Sequence, residues 1–182
     1  LKPDVIFCFG WSRLLHSSLL KLPPLGVIGF HPTALPANRG RHPLIWSLVL
    51  GMKETASTFF FMDEGADSGP IISQEKVQIK KSDTANSLYK KIEITASKQL
   101  KKFFPILKNN KLKPLKQNNK SASYWRKRSN KDGMINWNMS SEVIYNLVRA
   151  LSKPYPGATF IYKDRLIKLW KCKIISYKSC NI

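Results

Sequence analysis

Apolar and polar positions come in short blocks along this chain. Residues 4–10 form one apolar run, and residues 25–31, Leu-Gly-Val-Ile-Gly-Phe-His, form another between prolines at 23, 24 and 32. Brief apolar runs closed by Pro or Gly predict buried strands. Residues 56–62 and 70–79 predict two more, the second with Val77 and Ile79 alternating against Lys76, Gln78 and Lys80. Helix patterns lie between. Ser12 is placed to cap a short helix through Lys21, with Leu14, Leu15, Leu19 and Leu20 apolar. His42-Pro43 opens a helix to Leu50, with Pro at the tolerated first turn and Gly51 ending it. Few of its residues are polar, so it is expected to be buried. Ser82-Asp83 is read as the cap of a long helix in which Leu88, Ile92, Ala96 and Leu100 recur every four residues. Phe103, Phe104 and Leu107 carry that stripe past a stop or kink at Pro105.

Strand runs alternating with helices predict an α/β fold, a mostly parallel sheet with helices on both faces. The polar, lysine-rich stretch 108–122 reads as a linker. Beyond it, Ser140 is expected to cap a helix with Val143, Leu147, Val148 and Leu151 turned inward. A hairpin follows, residues 159–162 against 166–174, with Lys163-Asp164 at its turn. The expected division is therefore 1–107, a linker at 108–122, and a small unit at 123–182. The chain opens on Leu in what reads as a sheet strand, so both ends are expected to be cut edges of a larger protein.

Composition changes this picture in two respects. The 182 residues carry a formal charge of +20, a usual pointer to nucleic acid. Lysines far outnumber arginines, and the charge falls in two runs rather than along one groove, so the lysine-rich usage of an AT-rich genome is the competing reading. Cys8, Cys172 and Cys180 lack metal-ligand spacing, which argues against a metal site and for a reducing, cytoplasmic compartment. Cys8 reads as a small apolar filler. No apolar run approaches the ~20 residues that span a membrane.

The candidate chemistry sits at strand ends. His31 closes the second strand, and Asp67 follows the third through the loop Asp63-Glu64-Gly65-Ala66. Ligands of open α/β sheets bind beyond the carboxyl ends of strands, and an imidazole with a carboxylate is the smallest set that moves a proton. For an isolated His-Pro the default is a structural histidine, and Asp-Ser-Gly is good turn chemistry. Asp63 is the expected loop-capping carboxylate. Arg39 and Arg41, on the loop after His31, either grip a phosphate or carboxylate or cap the loop against Asp63 or Glu64.

A wider set of residues decides between these readings. His31-Pro32-Thr33-x-Leu35-Pro36-x-x-Arg39-Gly40-Arg41, with Pro43, Trp46, Gly51, Thr58 and Ala66-Asp67-Ser68-Gly69, resembles the folate-dependent formyltransferases. That family includes methionyl-tRNA formyltransferase, glycinamide ribonucleotide formyltransferase and amino-sugar N-formyltransferases. The resemblance covers most of the chain. It implies a Rossmann-like catalytic domain, here lacking its N-terminal part, and a partial α+β, barrel-like C-terminal module. It implies His31 and Asp67 as the catalytic pair, their separation (67 − 31 = 36) being the family's. Gly10, Trp11, Gly65 and Ala66 are implied in holding 10-formyltetrahydrofolate, and Arg39 and Arg41 in holding the acceptor, with no metal.

The chemistry implied is attack of an amine on the formyl carbon. The oxygen gains negative charge, the amine loses a proton and the leaving nitrogen gains one. Acid–base help of this kind is worth ~10²–10⁴ in rate, and oxyanion donors as much or more. One position departs: Gly29 stands where the family has a catalytic Asn that donates to the formyl oxygen. Losing such a donor costs ~10²–10³ in rate unless water, backbone or another side chain replaces it. Asn38 is on the same loop, but no spacing places it at the oxygen. For the acceptor, the charge and the C-terminal module point to tRNA. Three residues between Arg149-Ala150 and Pro154 resemble the spacing of the aminoarabinose-formylating member, where tRNA-formylating members usually have two, and point to a nucleotide-linked amino sugar. The amino sugar is the expected acceptor, with methionyl-tRNA and a catalytically silent folate- or nucleotide-binding homologue as alternatives.

Overall fold

A computed structural model describes residues 2–175. Its main sheet has four strands in the order β1 (Ile6–Cys8), β2 (Val27–His31), β4 (Glu54–Phe61), β5 (Ile71–Gln78). Between β2 and β4 the chain forms the two-residue β3 (Arg39–Gly40) and helix α2 (Pro43–Val49). Only β1 and β2 run parallel; β2–β4 and β4–β5 are antiparallel. The α/β class stands, but within these residues the sheet is mixed rather than mostly parallel. For β4 and β5 the cause is connection length. The short 62–70 loop returns β5 directly beside β4, a hairpin, whereas a parallel pair needs a longer crossover.

Helix α3 (Ala85–Lys108) covers one face of the sheet. Its Phe103 and Leu107 pack with Ile28 and Phe59, side chains whose burial is worth about 1.5–3 kcal/mol each. Gln99 lies within that apolar stripe and is fully buried, donating to Ser57 O and Ser73 Oγ. The opposite face is covered by the loop after β2 rather than by a helix. Thr58 Oγ1 donates to Thr33 O at 2.6 Å, and Gln74 Nε2 donates to Leu35 O at 3.0 Å. Helix α2 lies at the end of the sheet against α3 and against α4 (Ser141–Ala150), and joins the two parts of the chain in one apolar cluster.

Several expected boundaries move. The first helix is only α1 (Ser17–Leu20), capped by His16, and Ser12 caps nothing. Helix α3 is capped by Thr84 with Ser87 in a reciprocal box. Asp83, expected at the cap, instead turns inward to Lys91, Lys80 N and Ser87 Oγ. Pro105 neither stops α3 nor exposes its end; the helix runs on to Lys108 with Leu107 buried. In α4, capped by Ser140 as expected, Val143 is exposed. The buried face takes Arg149 instead, whose guanidinium donates to Asn146 Oδ1, Lys80 O and Asp83 O. A buried guanidinium is tolerated there because three oxygens receive it.

The second hairpin is β7 (Ala158–Tyr162) with β8 (Arg165–Leu169). Lys163 and Asp164 both have positive φ, the backbone of a two-residue hairpin turn. Cys180 lies outside the described residues. The stretch 108–122, read as a linker, is tied down twice. Leu115 exchanges both backbone hydrogen bonds with Ile71, and Gln117 is buried. Immediately after it, β6 (Tyr124–Trp125) pairs in parallel with β3.

Candidate active site

His31 reaches the site because β2 ends there and Pro32 turns the chain. In the β2–β4 register it stands opposite Thr58 and shares a sheet face with Gly29 and Phe60. Its ring is 6% exposed, and Nε2 lies 2.9 Å from Asn38 O. A carbonyl only accepts, so Nε2 carries the proton of that bond. Asn38 has φ +62, which turns its carbonyl toward the ring. The other ring nitrogen, Nδ1, faces Asp67 Oδ2 at 3.5 Å. That oxygen also accepts the Gly40 N–H at 2.8 Å. The neutral imidazole therefore offers its Nδ1 lone pair beside a carboxylate. If a proton arrives at Nδ1, both N–H groups have acceptors in place. The 3.5 Å gap exceeds a good hydrogen bond.

A cavity of about 520 Å³ opens over this pair. Gly10, Trp11 and Ser12 from the loop after β1 form one wall, Arg41, His42 and Pro43 another, with Tyr89 and Tyr155 beyond. Gly10 and Trp11 thus line the cavity, with Gly10 at φ +69. Gly65 and Ala66 do not: they are exposed, and the cavity walls do not include them. Their loop is closed on itself by Asp63, whose Oδ1 accepts from Gly65 N and Ser68 Oγ. Asp63 is the loop cap, as expected.

The two arginines separate. Arg41 is half-buried on the cavity wall and donates to Ser12 O. Arg39 is 1% exposed and donates to Gln117 Oε1, Asn119 Oδ1 and Tyr124 OH, so it is no ligand for an acceptor. Nor does it cap the loop against Asp63 or Glu64. The sequence pattern does not distinguish the two because both are single cations on one loop. Pairing of β3 with β6 buries the first beneath the C-terminal part.

Gly29 is occupied space. A Cβ built there lies 2.8 Å from Phe60 Cζ and 2.9 Å from Met62 Cγ. The Phe60 ring stands where a side chain at position 29 would begin.

Three residues escaped the sequence reading. Gln117 donates to Asp67 O and Gly69 O, but a single Gln in a Lys/Asn-rich stretch has no periodic signal. Tyr155 and His42 line both this cavity and a second one of about 560 Å³. His42 has φ +55 at the N-terminus of α2 and makes no side-chain cap bond. Burial, then Arg41, Arg128 and Lys127, against a smaller pull from Asp132, hold its pKa below the ordinary imidazole value. It is therefore neutral at neutral pH. The second cavity is also lined by Arg128, Lys131 and Lys168, and by no carboxylate among the described residues. Nearby Asp132 is engaged by Arg126.

Among the described residues, no group of His, Cys, Asp or Glu could hold a metal ion, and no helix is long and apolar enough to cross a membrane.

Comparison with known proteins places this geometry in a family. ArnA, the bifunctional polymyxin resistance protein of Wigglesworthia glossinidia brevipalpis, is 42% identical over 181 residues, 98% of this chain but 28% of that protein. The methionyl-tRNA formyltransferase of Clostridium thermocellum superposes with a TM-score of 0.78 at 24% identity, over 95% of this chain and 73% of its own. PseJ of Anoxybacillus kamchatkensis, a formyltransferase solved with a UDP-formamido sugar and tetrahydrofolate, gives 0.61 at 27% identity, over 68% and 64%. Residues 1–103 match the family model for formyl transferase and residues 127–182 that for its C-terminal domain, so the chain belongs to the formyl transferase family.

Proposed function

We propose that this chain transfers a formyl group from 10-formyltetrahydrofolate to the primary amine of a nucleotide-linked amino sugar. The second cavity carries this reading. It is basic, free of carboxylates in its lining, and shares His42 and Tyr155 with the cavity over His31. An acceptor with its amine at His31 and a diphosphate against Arg128, Lys131 and Lys168 fits the two spaces in sequence. Cavities of several hundred Å³ are the usual size for such ligands.

The first cavity suits the donor. Phe9, Trp11 and Phe30 give it aromatic walls, as a flat heterocycle requires. When bound, the donor supplies an electrophilic formyl carbon attached to a nitrogen leaving group. His31 Nδ1 takes a proton from the acceptor amine, by way of the Asp67 Oδ2 that its lone pair faces, as the amine nitrogen bonds to that carbon. Asp67 Oδ2 and Asn38 O then hold the doubly protonated ring. His31 returns the proton to the departing nitrogen. Residue 29 has no side chain to donate to the formyl oxygen, so the other polar groups of the wall, Ser12, Arg41, His42, Tyr89 and Tyr155, are where that donor is to be sought.

A tRNA acceptor is the second reading, favoured by the +20 charge. The test supplies the protein with the formyl donor and, separately, UDP-amino sugars and methionyl-tRNA, at 50 and 200 mM salt. The sugar nucleotide is expected to be formylated with shallow salt dependence. Arg128→Gln should raise the acceptor KM about tenfold, roughly 1.4 kcal/mol of lost binding, and leave the donor KM unchanged. Efficient formylation of methionyl-tRNA with a drop of ~10³ or more across that salt range, and none of the sugar, overturns the proposal.

A further inference from the structure

The buried guanidinium of Arg39 has no carboxylate partner among the described residues. Its acceptors are neutral: Gln117 Oε1, at 3.2 Å from Nε and 2.8 Å from an Nη, Asn119 Oδ1 and Tyr124 OH. A guanidinium only donates, so the amide atom it meets is the oxygen, and this fixes which way the Gln117 amide lies. Gln117 Nε2 is thereby turned the other way, onto Asp67 O at 2.9 Å and Gly69 O at 2.6 Å.

Those carbonyls bracket the turn that presents the Asp67 carboxylate. Asp67 sits at φ +54, a backbone state a non-glycine residue rarely adopts unaided. On the far side, the turn is pressed against β4: a Cβ at Gly69 would lie 1.8 Å from Phe61 O. The carboxylate is separately held by the Gly40 N–H, next in sequence to Arg39. Gly40 has φ +100 and itself rests on Trp125 O, where a Cβ would come within 2.4 Å. Asp67 is thus gripped twice, at its main chain through Gln117 and at its carboxylate through Gly40. Both grips trace to the β3–β6 pairing.

We propose that Gln117, locked in orientation by Arg39, is a positioning residue that sets Asp67 against His31. This rests on the reading of His31 and Asp67 as the reacting pair. Gln117→Glu separates the tether from the packing. A carboxylate keeps both bonds from Arg39 but turns an oxygen without a proton toward the two carbonyls. The variant should stay folded, with kcat for formyl transfer down 10–100-fold and the KM of donor and acceptor within about twofold. Added to Asp67→Asn, it should lower kcat no further, as expected of a residue that acts only through Asp67.

A second readout needs no turnover: the ¹⁵N spectrum of the His31 ring should move in Gln117→Glu toward that of Asp67→Asn. If Gln117→Glu does not fold, Arg39→Lys serves, since it keeps the charge, frees the amide to rotate and should move the same spectrum in the same direction. A wild-type His31 spectrum in the folded variant, or a kcat loss that multiplies with that of Asp67→Asn, overturns the inference. If the wild-type protein formylates no amine, the functional reading fails, and the ring spectrum alone decides the tether.

Discussion

Gly29→Asn introduces the residue that the family resemblance implies at this position, and the structure says it should harm the protein. Gly29 and Phe60 are directly opposed in the antiparallel β2–β4 register, so their side chains share a face. A Cβ at 29 lies 2.8 and 3.0 Å from two Phe60 ring carbons and 2.9 Å from Met62 Cγ. The methionine can move, but Phe60 is 2% exposed and its ring has little room to turn. Overpacking of this kind costs about 1–3 kcal/mol. The carboxamide, pressed on an aromatic ring with half its hydrogen bonds unmade, adds about 1–3 more. A loss near 3 kcal/mol lowers Tm by roughly 6–12 °C in a chain of this size.

The assay is thermal unfolding alongside formyl transfer. Gly29→Asn should melt earlier and turn over more slowly. Phe60→Leu, which shortens the opposing side chain, should recover part of both in the double variant. A Gly29→Asn protein with wild-type Tm and raised kcat would refute the reasoning. It would mean that β2 and β4 give way easily and that glycine is merely a missing donor.

Three further outcomes follow from the same contacts. His31→Ala and Asp67→Ala should each cut formyl transfer by ~10² or more while remaining folded by circular dichroism; wild-type turnover in either removes that residue from the reaction. For Asp83, burial raises the pKa, but Lys91, the Lys80 N–H and Ser87 outweigh it, and the net value lies below the usual carboxylate range. A depressed folded value stabilises the fold above the unfolded pKa of ~3.9 and is lost as pH falls through the folded one. Asp83→Asn should therefore lower Tm at pH 7, and its deficit should shrink below about pH 4; an equal deficit at pH 7 and pH 3 would count against the ion pair. Truncating Tyr124 to Phe removes one acceptor from buried Arg39 and should cost about 1–3 kcal/mol in denaturant unfolding.

What the sequence determined by itself was local. Apolar runs marked β2 and β4 because a strand buried on both faces needs little else, and the alternation of Val77 and Ile79 with polar neighbours marked β5, whose residues are mostly exposed or half-buried. The fourfold spacing of Leu88 and Ile92 marked α3, and Lys163-Asp164 marked a turn. Strand-end position made His31 and Asp67 candidates and the family resemblance singled them out, and the structure brings the two within 3.5 Å. Strand direction was not legible, since an apolar run reads alike up or down: β2 and β4 are antiparallel although a stretch with a helix joins them. Nor was the fate of single polar residues. Arg39 and Arg41 look equivalent in the chain, yet the β3–β6 pairing buries one and leaves the other on the cavity wall. Gln117, in a stretch composed like a linker, ends beneath Asp67 because Arg39 turns its amide. Gly29 reads as a loss until Phe60 is seen across the sheet filling its place. Each of these depends on a partner some 30 to 80 residues distant in the chain, and a polar residue's role is set by the partner it meets.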